Sequence, residues 1–240
     1  MFLLMLLQNL KTIKLEFSEQ INSNSIKNFI NNLLPEGKGL DFVSGILQIS
    51  KANKFALIEA IGNETAGDLT FSPNNEIATS FREISNEELT QRIINRENIN
   101  ITLWDDKVRL SLAGVQDKLP LVVLKDNKYG IGEGKIASTH ILKFETTNDK
   151  YLVLNEYFCM KAIQNANLPT SEFYISNDFK MFVMKRFDIT DDESYLGFED
   201  MCVLTARGTD QKYDGSYEEC ARVIKDNINP QKRKIKKEKR

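Results

Sequence analysis

The sequence predicts an α+β fold in which a small helical unit precedes a strand-rich lobe. Over residues 25–62 apolar side chains recur at helical spacing, whereas from 104 to 188 most of the chain reads as short strands separated by turn residues. A single long amphipathic stretch, 151–168, interrupts the strands. Helices and strands segregated along a chain in this way favour α+β packing over alternating parallel units.

Composition bounds the function classes. The 240 residues suffice for one large domain or two small ones, and 41% apolar with 28% charged residues is ordinary for a globular protein. Cys159, Cys202 and Cys220 are far apart and form no C-x-x-C, which predicts free thiols in a reducing cytoplasm. His140 is the only histidine, so a His/Cys zinc site is not expected, and beside a strand lysine it reads as structural. The last ten residues, QKRKIKKEKR, carry seven basic groups and one acidic group, which leaves a net −8 on the other 230. An acidic body argues against direct nucleic-acid binding through a basic face. The opening MFLLMLL is too short for a membrane span and lacks the flanks of a signal peptide, so a buried first element is expected.

SIKNFINNLLPEG (25–37) places Ile26, Phe29, Ile30, Leu33 and Leu34 on one helical face, and Pro35 and Gly37 end it. KFALIEAIG (54–62) is a second helix stopped by Gly62, followed by GDLTF and a Pro-Asn turn at 73–75. REISNEELTQRIINRENIN reads as a polar helix within a linker, 76–103. VRLSL (108–112) and LPLVVL (119–124) are strands, with Pro120 expected at a sheet edge or strand start because it lacks a donor. YGIG and STHILKF (138–144) add two more. The helix 151–168 is expected to bury a stripe of Leu154, Phe158 and Ala162. SEFYIS (171–176), the turn NDFK and MFVMKRFD (181–188) complete a hairpin.

The segment joining VRLSL to LPLVVL is Ala113, Gly114, Val115, Gln116, Asp117 and Lys118, longer than a tight hairpin requires. Free backbone N–H groups in such a loop can cover phosphates, a strand lysine such as Lys143 can grip them, and a helix glutamate such as Glu156 can hold that lysine. This is the order of parts in the small lobe of a protein kinase. Each residue also has a plainer reading: a solvated connection for the loop, a lysine reaching to water for Lys143, a solvated helix face for Glu156. Their joint order brings the functional reading level with the plainer one.

The chain resembles the HipA family of serine/threonine kinases, the toxin half of a bacterial toxin–antitoxin pair. The resemblance rests on NNLLPEG (31–37), ALIEAIGNETAGDLTF (56–71), RLSLAGVQDKLPLV (109–122), STHILKF (138–144), NEYFCMKAI (155–163), KRFD (185–188) and EDMC (199–202), in family order. It implies an N-terminal subdomain over 1–75 cut short at its start, an ATP-binding lobe over 104–190, the start of a helical lobe over 191–226, and a basic disordered tail over 227–240. It implies that Ser111 matches an autophosphorylated serine, and that Ala113, Gly114, Val115, Gln116 and Lys118 match the loop over the ATP phosphates. Lys143 matches the phosphate lysine, Lys185 and Phe187 hinge positions whose backbone meets adenine, and Asp188 a residue beside the sugar. A lysine stands at 185 where the family usually has an acid.

The cofactors implied are ATP and Mg²⁺. The partners implied are a HipB-like DNA-binding antitoxin and a translation protein, such as an aminoacyl-tRNA synthetase, as substrate. No membrane is implied. After Asp188 the sequence contains no Asp with an Asn five residues on, and no D-F-G-like Asp. The kinase chemistry places its base and metal clamp on such residues, so no catalytic or metal residue is assigned and a C-terminally truncated chain is expected. Two functions follow: an ATP-dependent protein kinase by family, or a catalytically dead module that binds nucleotide or antitoxin.

Overall fold

The computed structural model describes residues 23–63, 65, 67, 69–71, 79–96, 98, 100–105, 107–108, 116–124, 128–134, 136–145, 150–190, 195–198, 200–205, 207–212 and 214–227. Ser111, Ala113, Gly114 and Val115, the opening MFLLMLL and the end of the basic tail lie outside these residues.

Three helices come first: α1 (Ser23–Leu33), α2 (Gly37–Leu47) and α3 (Lys54–Ile61). They enclose one apolar cluster of Ile30, Leu34, Val43, Leu57, Ile58 and Ile61. Asn53 caps α3 by accepting the Ala56 N–H at 3.2 Å. The sequence reading missed α2. Its glycines at 37, 39 and 45 lower helix propensity, and burial of Val43 against α3 overrides that cost.

β1 (Ser80–Ile84) and α4 (Asn86–Ile94) follow. Both lie in the stretch expected as a linker, which is therefore part of the lobe. β1 pairs antiparallel with β5 from Ser80↔Glu133 to Ile84↔Tyr129. Only Ile84 of that strand is buried, so hydropathy alone does not reveal it. Ser85 caps α4 through the Glu88 N–H, and Glu88 accepts two bonds from Arg82 at 2.9 and 3.0 Å. A two-stranded ribbon, β2 (Leu103–Trp104) with β3 (Lys107–Val108), comes next.

The main sheet has six strands in the order β1-β5-β4-β6-β8-β7, with β4 (Lys118–Val123), β5 (Tyr129–Glu133), β6 (His140–Phe144), β7 (Phe173–Ile175) and β8 (Met181–Lys185). Every pairing is antiparallel. Between β6 and β7 runs α5 (Leu152–Asn165). After β8 come α6 (Met201–Leu204), a 3-10 turn at Thr209–Gln211 and α7 (Tyr217–Asn227).

Pro120 sits in an interior strand, not at an edge. β4 pairs with β5 only through Val122 and Val123, whereas it pairs with β6 from Lys118 to Leu121. Asp117 and Leu121 carbonyls accept from Phe144 and Thr139 on the β6 side, so alternation turns the donorless Pro120 nitrogen toward the stretch that β5 does not pair. The missing donor costs no ladder bond.

Alternation gives the sheet two unlike faces. One carries Leu119, Leu121, Leu142, Phe144, Val183, Tyr129 and Ile131, closed by Ile84, Leu89, Ile101 and Trp104. Trp104 is fully buried, donates from Nε1 to the Ile101 carbonyl at 2.6 Å, and lies under the Arg92 guanidinium at 4.6 Å. The opposite face carries Lys118, Ile141, Lys143 and Phe182. On it, Gly130 and Gly132 leave room for Phe81 and Ile136, whose atoms a β-carbon would strike.

Trp104→Ala should lower unfolding free energy by about 3–5 kcal/mol, the range for emptying a buried aromatic site. Urea denaturation followed by far-UV circular dichroism checks this. A loss under 1 kcal/mol would show that Trp104 is not a core residue.

Candidate functional site

The β4–β6 register sets Lys118 directly opposite Lys143. Cross-strand partners project to the same face with β-carbons about 5 Å apart, so two ammonium groups are neighbours there. Lys143 bonds the Glu156 carboxylate of α5, both partners being largely shielded from water. Its ammonium also lies 5.8 Å from the Phe182 ring, the next partner across the sheet.

This contact explains a difference in α5. The helix turns Val153, Glu156 and Tyr157 inward, Tyr157 packing edge-on against Phe173 at 5.9 Å. Phe158 is 65% exposed and Ala162 is also exposed, so the stripe expected from hydropathy is not the buried one. The inward face is chosen partly by an ion pair, which an apolar periodicity does not register.

A third lysine completes the cluster. Lys212, just past the 3-10 turn, donates to Glu36 Oε1 at 2.5 Å with both side chains nearly buried. Glu36 precedes α2, so the helical unit and the C-terminal segment meet beside Lys118. Burial, with the positive charges of Lys143 and Lys212, pushes the Lys118 ammonium down to about 8 against the pull of Glu36 and Glu156. Sequence reasoning missed Lys212 and Glu36, because residues 176 apart carry no local signal of their meeting.

The remaining expected residues fall as follows. Gln116 donates from Nε2 to the Phe144 carbonyl at 3.0 Å, which bolts the end of the loop to β6. Lys185 ends β8, its amide donating to the Glu172 carbonyl and its ammonium 3.6 Å from the Glu172 carboxylate. Among the described residues the Phe187 main chain has no hydrogen-bond partner, while its ring meets Phe198 at 5.0 Å. Asp188 is 3% exposed and paired with Arg186. His140 bonds Thr139, and burial beside Lys185 lowers its pKa. The cysteines are free, and burial near Asp200 pushes the Cys202 thiol up to about 11, so it stays protonated. Among the described residues no group of His, Cys, Asp and Glu is set to hold a metal ion, and no helix is long and apolar enough to cross a membrane.

Two family models match the sequence: the HipA N-terminal domain over residues 8–72 and the HipA-like C-terminal domain over 110–239. The chain belongs to the HipA family. It is 41% identical over 170 residues to the serine/threonine-protein kinase toxin HipA of Shewanella oneidensis, a match covering 69% of this chain and 39% of that protein. A solved structure of the Shewanella oneidensis HipA, HipB and operator DNA complex superposes with a TM-score of 0.63 at 35% identity, covering 82% of this chain and 48% of the matched one. The chain thus spans less than half the length of these HipA relatives. The α+β architecture with an antiparallel sheet agrees with the expected kinase-like lobe.

The Lys118 environment gives a measurable pH response. Because its pKa is lowered, the reactive neutral amine appears as pH rises through about 8, whereas an ordinary lysine needs more than two further units. The rate of Lys118 acetylation, read by peptide mass spectrometry, should level off above pH 9. A rate still climbing steeply at pH 10 would show an ordinary lysine.

Proposed function

We propose that this chain provides the nucleotide cradle of a HipA-type serine/threonine protein kinase. The observation that carries the reading is the pair of same-face lysines, Lys118 and Lys143, with Lys143 held by Glu156. Two adjacent ammonium groups on one face of a rigid sheet match the successive negative charges of a polyphosphate chain, which accepts charge-assisted hydrogen bonds from both. The unbonded main chain at Phe187 is at the far end of β8, where a purine edge can take up hydrogen bonds.

In this reading Lys118 and Lys143 hold the phosphates of ATP, and the loop from Ala113 to Gln116 covers them with backbone N–H groups. Glu156 keeps the Lys143 ammonium in place. The main chain around Lys185 and Phe187 receives the base, and Asp188 lies near the sugar. ATP with Mg²⁺ supplies the transferable phosphoryl group when bound. Ser111, at the start of the loop, is the proposed internal acceptor. The protein substrate is a component of translation such as an aminoacyl-tRNA synthetase, the partner is a HipB-like antitoxin, and the setting is the cytoplasm.

A second reading has its own support. The sequence after Asp188 holds no Asp with an Asn five positions on, so the residues present furnish a cradle without an identified base. A module that binds nucleotide or antitoxin without transferring phosphate fits that pattern.

Two measurements separate the readings. By titration calorimetry, Lys143→Ala should weaken ATP binding roughly 10- to 100-fold, the loss of one charge-assisted contact, while Ser111→Ala should bind nearly as wild type. Equal affinity for wild type and Lys143→Ala removes Lys143 from the site. Intact-mass spectrometry after incubation with ATP and Mg²⁺ then reads transfer. One added phosphate on wild type and none on Ser111→Ala supports the kinase; no addition to wild type supports the binding module.

A further inference from the structure

The motif ALIEAIGNETAGDLTF has no role in the cradle described above, yet two of its residues reach the hinge. Arg186 and Asp188 flank Phe187 and are 2% and 3% exposed. Arg186 Nε donates to Asp188 Oδ1 at 3.0 Å and Nη2 donates to Oδ2 at 2.6 Å. The same guanidinium donates to Ser138 Oγ at 2.8 Å and to the Thr65 carbonyl at 3.3 Å. Asp188 Oδ2 also accepts the Gly67 N–H at 2.9 Å. Gly67 has φ +89°, a conformation that other residues rarely adopt. A β-carbon added at Gly67 would meet the Phe198 ring at 3.6 Å, and that ring packs edge-on with Phe187.

Resting on the nucleotide-cradle reading, we propose that Arg186 and Asp188 are positioning residues that clamp the Phe187 main chain for the base of a purine nucleotide, locked by Thr65 and Gly67 of the N-terminal unit. Two residues on either side of Phe187 hold each other through a two-point fork, which removes freedom from the peptide groups between them. Both Asp188 oxygens are already engaged. With the residue only 3% exposed, a sugar hydroxyl has little access to this carboxylate, so Asp188 acts on the nucleotide through the hinge rather than by touching the ribose. A buried ion pair contributes little net stability by itself, and its use here is geometric. The N-terminal unit is thereby a component of the base pocket, although neither Thr65 nor Gly67 touches the base.

Three ligands distinguish the roles: ATP, 2′,3′-dideoxy-ATP and inorganic tripolyphosphate, each titrated against wild type, Asp188→Asn and Arg186→Lys. A clamp predicts that Asp188→Asn weakens both nucleotides by the same factor, about tenfold, with tripolyphosphate unchanged. Arg186→Lys, which keeps the charge but not the fork, should behave likewise. A loss for ATP and none for the dideoxy analogue would make Asp188 a sugar ligand and overturn the proposal. An equal loss for all three ligands would mark general loosening and overturn it too. Should either variant fail to fold, Ser138→Ala, which removes only the hydroxyl held by Arg186, must show the same nucleotide-selective pattern in smaller measure.

A wild type that binds neither ATP nor tripolyphosphate overturns the cradle reading instead. The lock is then judged by hydrogen exchange: joint loss of protection at Gly67 and at 186–188 in Asp188→Asn supports it, and unchanged protection at Gly67 overturns it.

Discussion

A slip of β4 against β6 by a single residue would carry Lys118 into the dry core and bring Leu119 out beside Lys143. The site depends on that register more than on any one side chain. It is pinned at both ends: at the loop side, where the Phe144 N–H donates to the Asp117 carbonyl and the Phe144 carbonyl accepts from Gln116 Nε2, and by the Thr139 hydroxyl and amide near Val123 and Leu121. Between those pins the alternation of Leu119 and Leu121 fixes which face is apolar. The lysines then share the other face as a consequence of core packing.

Electrostatics follows from that placement. Lys143 has Glu156 and Lys212 has Glu36, while burial and those two neighbouring ammonium groups push the Lys118 ammonium down. The two acids come from distant segments of the chain, one before α2 and one on α5. Sheet, helix and N-terminal unit therefore each contribute a charge to one small volume. A protein that only needed to fold would gain little from such an arrangement. It is suited to an anion with several charges in a row.

Much of this was legible in the sequence where the signal is local. The strands LPLVVL, YGIG and STHILKF were found at nearly their observed bounds, MFVMKRFD was read past the end of β8 at Lys185, and Lys143 with Glu156 was expected as a pair from element order. What escaped was non-local or polar. β1 shows one buried residue in five and looks like linker until β5 is there to pair with it. The three glycines of α2 hide a helix that tertiary contact stabilises. Hydropathy chose the wrong face of α5, since Glu156 turns inward for the sake of Lys143. The Lys212–Glu36 contact and the Arg186–Asp188 fork with Gly67 join distant segments, and no window of sequence contains both halves.

The span from Gly67 to Asp188 is 121 residues, and this has a consequence for synthesis. A ribosome releases the motif around Gly67 long before the carboxylate that receives its N–H. During that interval the three helices can close their own apolar cluster, but the turn after them has no anchor. The β4–β5 and β7–β8 hairpins can zip as they emerge, because their partners are near in sequence. Fastening of the N-terminal unit to the lobe must come after β8. Vectorial folding of this chain therefore proceeds as two separately ripening pieces, joined late through the Arg186–Asp188 pair and the Lys212–Glu36 contact.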